Sequence, residues 1–420
     1  MAEIKRWTTC RISGEPLIPL FSLGALHLSD FLPAGTEPTS PKVPLDMCLA
    51  PVSGLVQLAH TAPFEKMYER YWYRSGINES MVAELRDIAT SVTKQMRVGK
   101  DDVWIDIGCN DGTLLSFLPT DAIRIGYDPN DYKELSQPHA NLIVNDYFNA
   151  KAFKSSVYGN RKAKVITSIA MFYDLEDPHA FVKDVTEVLD KDGLWVIQMS
   201  YLPLMLEQLA FDNICHEHLQ YYSLSSLKFL LDAHKLEIVD CQLNDVNGGS
   251  FRIYIRKAGA DPAAFASAPY RDVAKYRVNS ILQHEKTLNL TEVDTYLNFF
   301  KKASDLRDQT LAFLRTEKEK GKKIWAYGAS TKGNTLLQWW GIDNTLVDGI
   351  AERSSPKFGL KTPGSNIPIS SEEDMRKANP DYLLVLPWHF IDSFVRREQE
   401  FLNGGGAFIV PCPRFEIIRK

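Results

Sequence analysis

From Asp101 onward the chain alternates short unbroken apolar runs with amphipathic stretches. VWIDI (103–107), IRIGY (123–127), NLIVN (141–145), KVITSI (164–169) and GLWVIQM (193–199) are the length of strands and apolar on both faces, as buried parallel strands are. Between them, FVKDVTEVL (181–189) places its apolar residues at helical spacing. This alternation predicts a doubly wound α/β sheet. LEIVDCQL (236–243) and FRIYIRK (251–257) predict two antiparallel strands that close it. A small-residue linker over 258–268 and a charged helical segment over roughly 270–320 follow. A second α/β pattern then runs through KKIWAYGAS (322–330), TLVDGIAE (345–352), YLLVLP (382–387) and GAFIVP (406–411). Residues 1–75 show neither period: they are rich in Pro, Leu and Ser, with apolar patches at LIPLFSLG and VSGLVQL. The pattern predicts three units, an irregular N-terminal module (1–75), a central α/β domain (76–258) and a C-terminal α/β domain (259–420).

Composition narrows the class. A chain of 420 residues exceeds one hydrophobic core, which agrees with several domains. Hydrophobic content of 45% and charged content of 24% are those of an ordinary globular protein. A net charge of −5, with no basic stripe interleaved with aromatics, argues against a nucleic-acid partner. Apolar runs such as LLVLP are far shorter than the roughly 20 residues of a membrane helix. MAEIKRWTTC lacks the apolar centre of a signal peptide, and the six cysteines show no disulfide-framework spacing. The expectation is a cytoplasmic protein with no membrane partner.

The stretch WIDIGCNDGTLLSFL (104–118) reads as strand, glycine-bearing turn and helix. Gly108 and Gly112 permit close backbone approach and a tight turn, at the strand ends where open α/β sheets bind ligands. The turn reads DxGxNxG, with Asp106 and Asn110, where dinucleotide folds carry GxGxxG for a pyrophosphate. Asp106 suits a cation or an ammonium group better than a phosphate. Asp128, ending IGYDPN, is placed for ribose hydroxyls. Asp146, in VNDYF, is placed for an adenine amino group, with Tyr147 and Phe148 beside the ring. This ordered set of strand-end acids resembles the class I S-adenosylmethionine-dependent methyltransferases, and the resemblance implies S-adenosylmethionine as cofactor.

A narrower resemblance rests on YERYWYRSG (68–76), FDNICHEHLQYYSL (211–224), NGGSFR (247–252), YGASTKGNTLLQ (327–338) and LPWHF…EQEFLNGGGAFIVPCPRF (386–415). These motifs resemble the three-domain sugar C-methyltransferases, and they span nearly the whole chain. The resemblance implies methylation of carbon 3 of a nucleotide-linked 4-keto-6-deoxysugar, in deoxysugar or polysaccharide biosynthesis. It also implies a C-terminal Rossmann-like half that binds the sugar nucleotide. The family's N-terminal module holds structural zinc with two Cys-x-x-Cys pairs. Aligned here, the ligand positions fall at Cys10, Ser13, Ala50 and Ser53, with Cys48 and His60 out of register. A tetrahedral zinc needs four good donors, so the expectation is a module without zinc and no metal at the site.

Methylating carbon requires a base to remove a proton beside a ketone, and donors facing the developing oxyanion. HEH (216–218) answers this. The resemblance assigns the general base to His218, with Glu217 and His216 orienting it, shifting its pKa or contacting the sugar. Tyr73 and Tyr222 are candidate phenolic donors, and Tyr71 and Asn247 candidate substrate contacts. Two departures stand out. Cys215 replaces a tyrosine frequent in the family, and Tyr173 or Asp174 stands where some members have a histidine. HEH is not the zinc motif HExxH, since histidines two apart do not converge on one metal. In the C-terminal half, Ser330, Thr331, Lys332 and Asn334 of GASTKGN read as an anion site at a helix N-terminus for the diphosphate. In AERSSPKFG, Glu352, Arg353 and Lys357 read as ribose and phosphate contacts. Three other readings compete: a methyltransferase acting on oxygen, a nicotinamide-dependent sugar oxidoreductase, and a catalytically silent binding protein. Asp106 and the absence of GxGxxG weigh against the second of these, and the intact HEH against the third.

Overall fold

In the computed structural model, residues 4–63, 72–130 and 132–420 are described; Tyr71 lies outside them. The N-terminal unit is not irregular. Strands β1 (Ile18–Leu26), β2 (Val43–Ala50) and β3 (Leu55–Leu58) form an antiparallel sheet. The fourth strand of this sheet is Gln220–Tyr221, contributed by the central domain. Alternation was hidden because β1 carries Pro19 and Gly24 and breaks register twice against β2.

The central domain opens with α1 (Glu79–Gln95), capped by Asn78, which accepts a hydrogen bond from the Ser80 amide. Met81, Leu85, Ile88, Ala89 and Val92 make its buried stripe, the spacing expected of one helix face. There follow β4 (Val103–Ile107), β5 (Ile123–Tyr127), β6 (Leu142–Val144), β7 (Ala163–Ile169), α2 (Pro178–Val188), β8 (Leu189–Ser200), α3 (Leu224–Ala233), β9 (Leu236–Asn244) and β10 (Ser250–Lys257). The seven-stranded sheet has the order β9-β10-β8-β7-β4-β5-β6. It is parallel except at the closing pair β9 and β10, as the apolar runs predict.

Two helices bridge to the C-terminal half. α4 (Ala268–Thr287) packs on β9 and α3 of the central domain, and α5 (Val293–Glu319) packs on β1. The C-terminal unit contains β11 (Ile324–Tyr327), α6 (Thr331–Trp340), β12 (Ile350–Glu352), β13 (Ile369–Ser371), β14 (Tyr382–Val385), β15 (Ala407–Val410) and β16 (Glu416–Ile418). Its six-stranded sheet runs β13-β12-β11-β14-β15-β16 and is parallel except for β16. Among the described residues, no helix is long and apolar enough to cross a membrane.

One apolar core runs through all three units. It joins Leu20, Leu45 and Leu58 of the N-terminal sheet to Phe211, Ile214 and Leu219 of the central domain. It continues into Leu336, Trp340 and Leu384 of the C-terminal half. The N-terminal sheet is therefore packed between the two larger units.

The turns that would carry zinc ligands are tied by hydrogen bonds instead. Glu15 accepts from the Ser13 and Ser53 hydroxyls (2.8 and 3.2 Å) and from the Ser53 and Val52 amides (2.9 and 2.8 Å). Cys10 Sγ lies 3.4 Å from Ser53 Oγ. Burial alone would raise the Glu15 carboxyl, but these donors outweigh it and hold the group below its usual range. Among the described residues, no three His, Cys, Asp or Glu side chains group as a metal requires. Glu15→Ala should lower stability by about 2 kcal/mol, the scale of lost hydrogen bonds to a charged group. A chelator should leave the melting temperature of the wild type unchanged; a chelator-induced drop would show that metal holds this module.

Candidate active site

The turn after β4 is built as its glycines require. Gly108 and Gly112 have φ of +77° and +78°, and a Cβ on Gly112 would lie 2.7 Å from Ser136 Cα. Asp106, at the end of β4, is buried and accepts from Thr167 Oγ1 at 2.7 Å. Burial first, and the nearby Asp128 charge after it, push its carboxyl up to about 7. Such a group gains from a cationic neighbour. Asp128, one strand over, accepts from the Asn110 and Asn130 amides (2.8 and 2.9 Å) and is raised by burial. Asp146 and Tyr147 stand exposed at the rim, with the Asp146 carboxylate on the Tyr147 amide at 2.7 Å. The turn and its acids thus fit a ligand with an ammonium group, a ribose and a planar base.

A strap crosses this turn that the motif reading missed. Asn110 Oδ1 accepts from the Ser75 amide at 3.0 Å, and Asn110 Nδ2 donates to the Tyr73 carbonyl at 3.1 Å. Asp111, buried, accepts from the Gly76 amide at 2.8 Å and from Arg74 Nε at 3.2 Å. Tyr73 therefore belongs to the turn after β4; desolvation of its phenol, against a Ser75 hydrogen bond, raises it to about 12 even though 43% of the residue is exposed. Asn110 acts through this strap, with its side chain turned to residues 73–75.

The two histidines of HEH face different ways. His216 is buried and its Nε2 meets the Val43 carbonyl at 3.0 Å. A carbonyl only accepts, so Nε2 carries the proton, and the ring is a clasp on the N-terminal sheet rather than a substrate contact. Burial lowers its pKa to about 4. His218 is partly exposed, with Nδ1 2.9 Å from the Asn213 carbonyl. By the same logic Nδ1 holds the proton and Nε2 the lone pair, which is the tautomer a base requires. Burial, then the Lys332 ammonium, push this ring down to about 3, so it stays neutral across physiological pH. The Tyr173 ring packs on it at 4.2 Å between centroids.

Around His218 the structure gathers groups from both larger domains. Glu217 is raised by burial to about 7. Lys332, in the first turn of α6, donates to Asn213 Oδ1 at 2.6 Å. His389 is lowered to about 3 by burial and then by Lys332. Asp212 is buried and raised by that burial, against the opposing pull of Lys332 and Trp388. Trp388 also closes on the turn bearing Asn247: a Cβ on Gly248 would meet its ring at 3.1 Å. Asp212, Asn213 and His389 lie within motifs the sequence reading quoted without assigning them. A histidine just beyond the buried strand β14 is the signal that could have exposed His389.

Other expected contacts are redirected. Tyr222 packs on Phe172, and its hydroxyl lies toward Cys10 and Arg11, away from His218. Lys357 donates to the Ala329 carbonyl at 2.7 Å and pairs with Glu352 at 3.4 Å. Glu352 also accepts from the Ala329, Arg353 and Ser354 amides. This pair locks the loop after β12, so neither side chain is free for a nucleotide. Ser330 caps α6 by accepting from the Gly333 amide at 3.0 Å. The Thr331 carbonyl accepts from Ser29 Oγ, and Asn334 is buried beside Lys332, its side-chain amide without a hydrogen-bond partner among the described residues while its backbone amide donates to the Ser330 carbonyl. Arg353 remains exposed. Cys215 is buried and burial pushes its thiol up, so it is a neutral packing group.

Residues 79–240 match the family described as a methyltransferase domain, and residues 245–413 the family described as a C-methyltransferase C-terminal domain. A curated relative, the C-methyltransferase NovU of Streptomyces niveus, is 27% identical over 414 residues, covering 97% of this chain and 96% of that protein. Among solved structures, the N-methyltransferase NodS of Bradyrhizobium japonicum is 11% identical with a TM-score of 0.31, covering 43% of this chain and 95% of that one. An S-adenosylmethionine-dependent methyltransferase of Clostridium acetobutylicum is 14% identical with a TM-score of 0.32, covering 42% and 92%. The central sheet has the class I S-adenosylmethionine-dependent methyltransferase fold, and the chain is a methyltransferase with a C-methyltransferase C-terminal domain.

The Asp106 carboxyl gives a pH test. Its ordinary value lies near 4; burial pushes it up to about 7, and a bound ammonium favours the ionised form. Affinity for S-adenosylhomocysteine should therefore fall as pH drops below 7, approaching about tenfold per pH unit. In Asp106→Asn that slope should vanish from calorimetric titrations; an unchanged slope would assign the proton elsewhere.

Proposed function

We propose that this methyltransferase adds a methyl group to carbon 3 of a nucleoside-diphosphate 4-keto-6-deoxysugar through an enolate. The observation that carries the reading is His218. It is held as a neutral ring with its Nδ1–H on the Asn213 carbonyl, where the methyltransferase domain meets Lys332 of the C-terminal half. S-adenosylmethionine, the cofactor of this domain, supplies an electrophilic methyl group. Asp106 receives its ammonium, Asp128 its ribose, and Asp146 with Tyr147 its adenine. The strap through Tyr73, Ser75 and Gly76 fixes the turn so that Asn110 and Asp111 hold one geometry.

His218 removes the proton beside the ketone, and Asn213 keeps its Nδ1–H pointed away from the reaction. Glu217, adjacent in the chain, stabilises the imidazolium once it forms, provided the carboxyl has ionised. The description of the C-terminal family favours carbon over oxygen as the acceptor. Support for a sugar nucleotide comes from the ordered C-terminal motifs. We assign the nucleotide end to Thr331 and exposed Arg353, with Asn334 buried in the same helix as Thr331 and Asn247 in the turn that Trp388 covers.

S-adenosylhomocysteine should raise the melting temperature where NAD does not, and Asp128→Ala should weaken that shift. A panel of thymidine, guanosine and cytidine diphosphate 4-keto-6-deoxysugars should yield a product with a new C-methyl signal by NMR; an O-methyl signal would reassign the acceptor. His218→Asn should abolish turnover, by about 10²-fold or more, with cofactor affinity kept. The pH profile of kcat/KM should rise through about pH 7 as Glu217 ionises, and Glu217→Gln should remove that limb. A limb that persists in the variant belongs to another group.

A further inference from the structure

We propose that Lys332, supplied by the C-terminal half, is the catalytic donor to the substrate's keto oxygen rather than a ligand of the diphosphate. This rests on the keto-sugar reading above. Asn213 holds both partners of the step. Its backbone carbonyl takes the His218 Nδ1–H at 2.9 Å, and its side-chain oxygen takes the Lys332 ammonium at 2.6 Å. Base and cation are thus set by opposite ends of one residue, in the buried turn Phe211–Asn213 against which α6 packs.

Lys332 is half-buried, and among the described residues it makes no ion pair with a carboxylate. An ammonium has three donors; Asn213 engages one and leaves others for a ligand. Buried Asp212 lies within its field without closing an ion pair on it, so the ammonium keeps donors for an oxygen that gains charge. The other donors nominated around HEH are elsewhere. His216 is spent on Val43, Tyr222 lies toward Arg11 and Cys10, and Cys215 is a buried thiol. In place of the phenol that Cys215 lacks, the C-terminal half reaches across with a full charge.

The step balances without another reactant. The C–H bond beside the ketone breaks, its proton passes to Nε2 of His218, and its electron pair shifts to the carbonyl oxygen. Lys332 donates a hydrogen bond to that oxygen while it is negative. The pair then returns to carbon as the C–C bond to the donated methyl forms and the donor's C–S bond breaks. The oxygen is again a ketone, and the proton leaves His218 to solvent.

The test is solvent deuterium incorporation beside the ketone, with S-adenosylhomocysteine bound so that no methyl can transfer. Wild-type enzyme should exchange that position in the panel sugar it methylates. Lys332→Met should lose exchange and kcat together by about 10²–10³-fold, the range for removing an oxyanion donor. Its affinity for the matching free nucleoside diphosphate should change less than about threefold, against the tenfold or more expected of a lost charged contact. Lys332→Arg, which keeps the charge and guards against a folding defect, should retain exchange well above Lys332→Met. Weakened nucleoside diphosphate binding with exchange intact would overturn the proposal and return Lys332 to the phosphate. Wild type that binds S-adenosylhomocysteine but neither exchanges nor methylates any panel sugar would overturn the substrate reading itself, and this proposal with it.

Discussion

The active-site turn depends on an apolar core shared by three segments distant in sequence. Residues 202–221, which carry HEH, hold a short helix (Leu202–Glu207), the turn Phe211–Asn213 and the two-residue strand Gln220–Tyr221. Phe211, Ile214 and Leu219 are buried between the N-terminal sheet and the C-terminal half. Gln220 and Tyr221 are hydrogen-bonded to β3 as an edge strand, and Leu58 donates its amide to the Leu219 carbonyl. The same N-terminal unit grips α6, where the His27 amide and carbonyl both bond to Gln338. Residues 216–218 and α6 are therefore indexed to one small sheet, which serves as an alignment jig.

Desolvation is the second organising effect. Burial pushes Glu217 and Asp212 toward their neutral forms and holds His218 and His389 neutral as well. In a low-dielectric cleft, a remaining charge acts over the whole site. Lys332 stands among these groups because the C-terminal half packs against the turn at 211–213. The surroundings of His218 are therefore built by both larger units rather than by one.

Much of this was legible in sequence, and the failures have physical causes. The central strands were readable because both their faces are buried, leaving unbroken apolar runs. The acids Asp106 and Asp128 were readable because strand ends fix their position independently of the rest of the fold. The N-terminal sheet was not, because bulges at Pro19 and Gly24 destroy the period of two. Glu352 and Lys357 look like ligand groups in sequence, but five residues of separation around a turn bring them together. Asn213 could not be found from its side-chain type, because half its role belongs to a backbone carbonyl.

The hydrogen-bonded turns around Glu15 have a consequence for where such an enzyme can operate. A zinc centre built on thiolates is a redox liability, since oxidants convert the ligands to disulfides or sulfenic acids and release the ion. Here the two turns are joined by a carboxylate, hydroxyls and amides, none of which is oxidised under those conditions. The one cysteine in the knot, Cys10, is buried. Ties of this kind depend on neither metal supply nor thiolate redox state, and their weak point is acid, which protonates the carboxylate that accepts all four bonds.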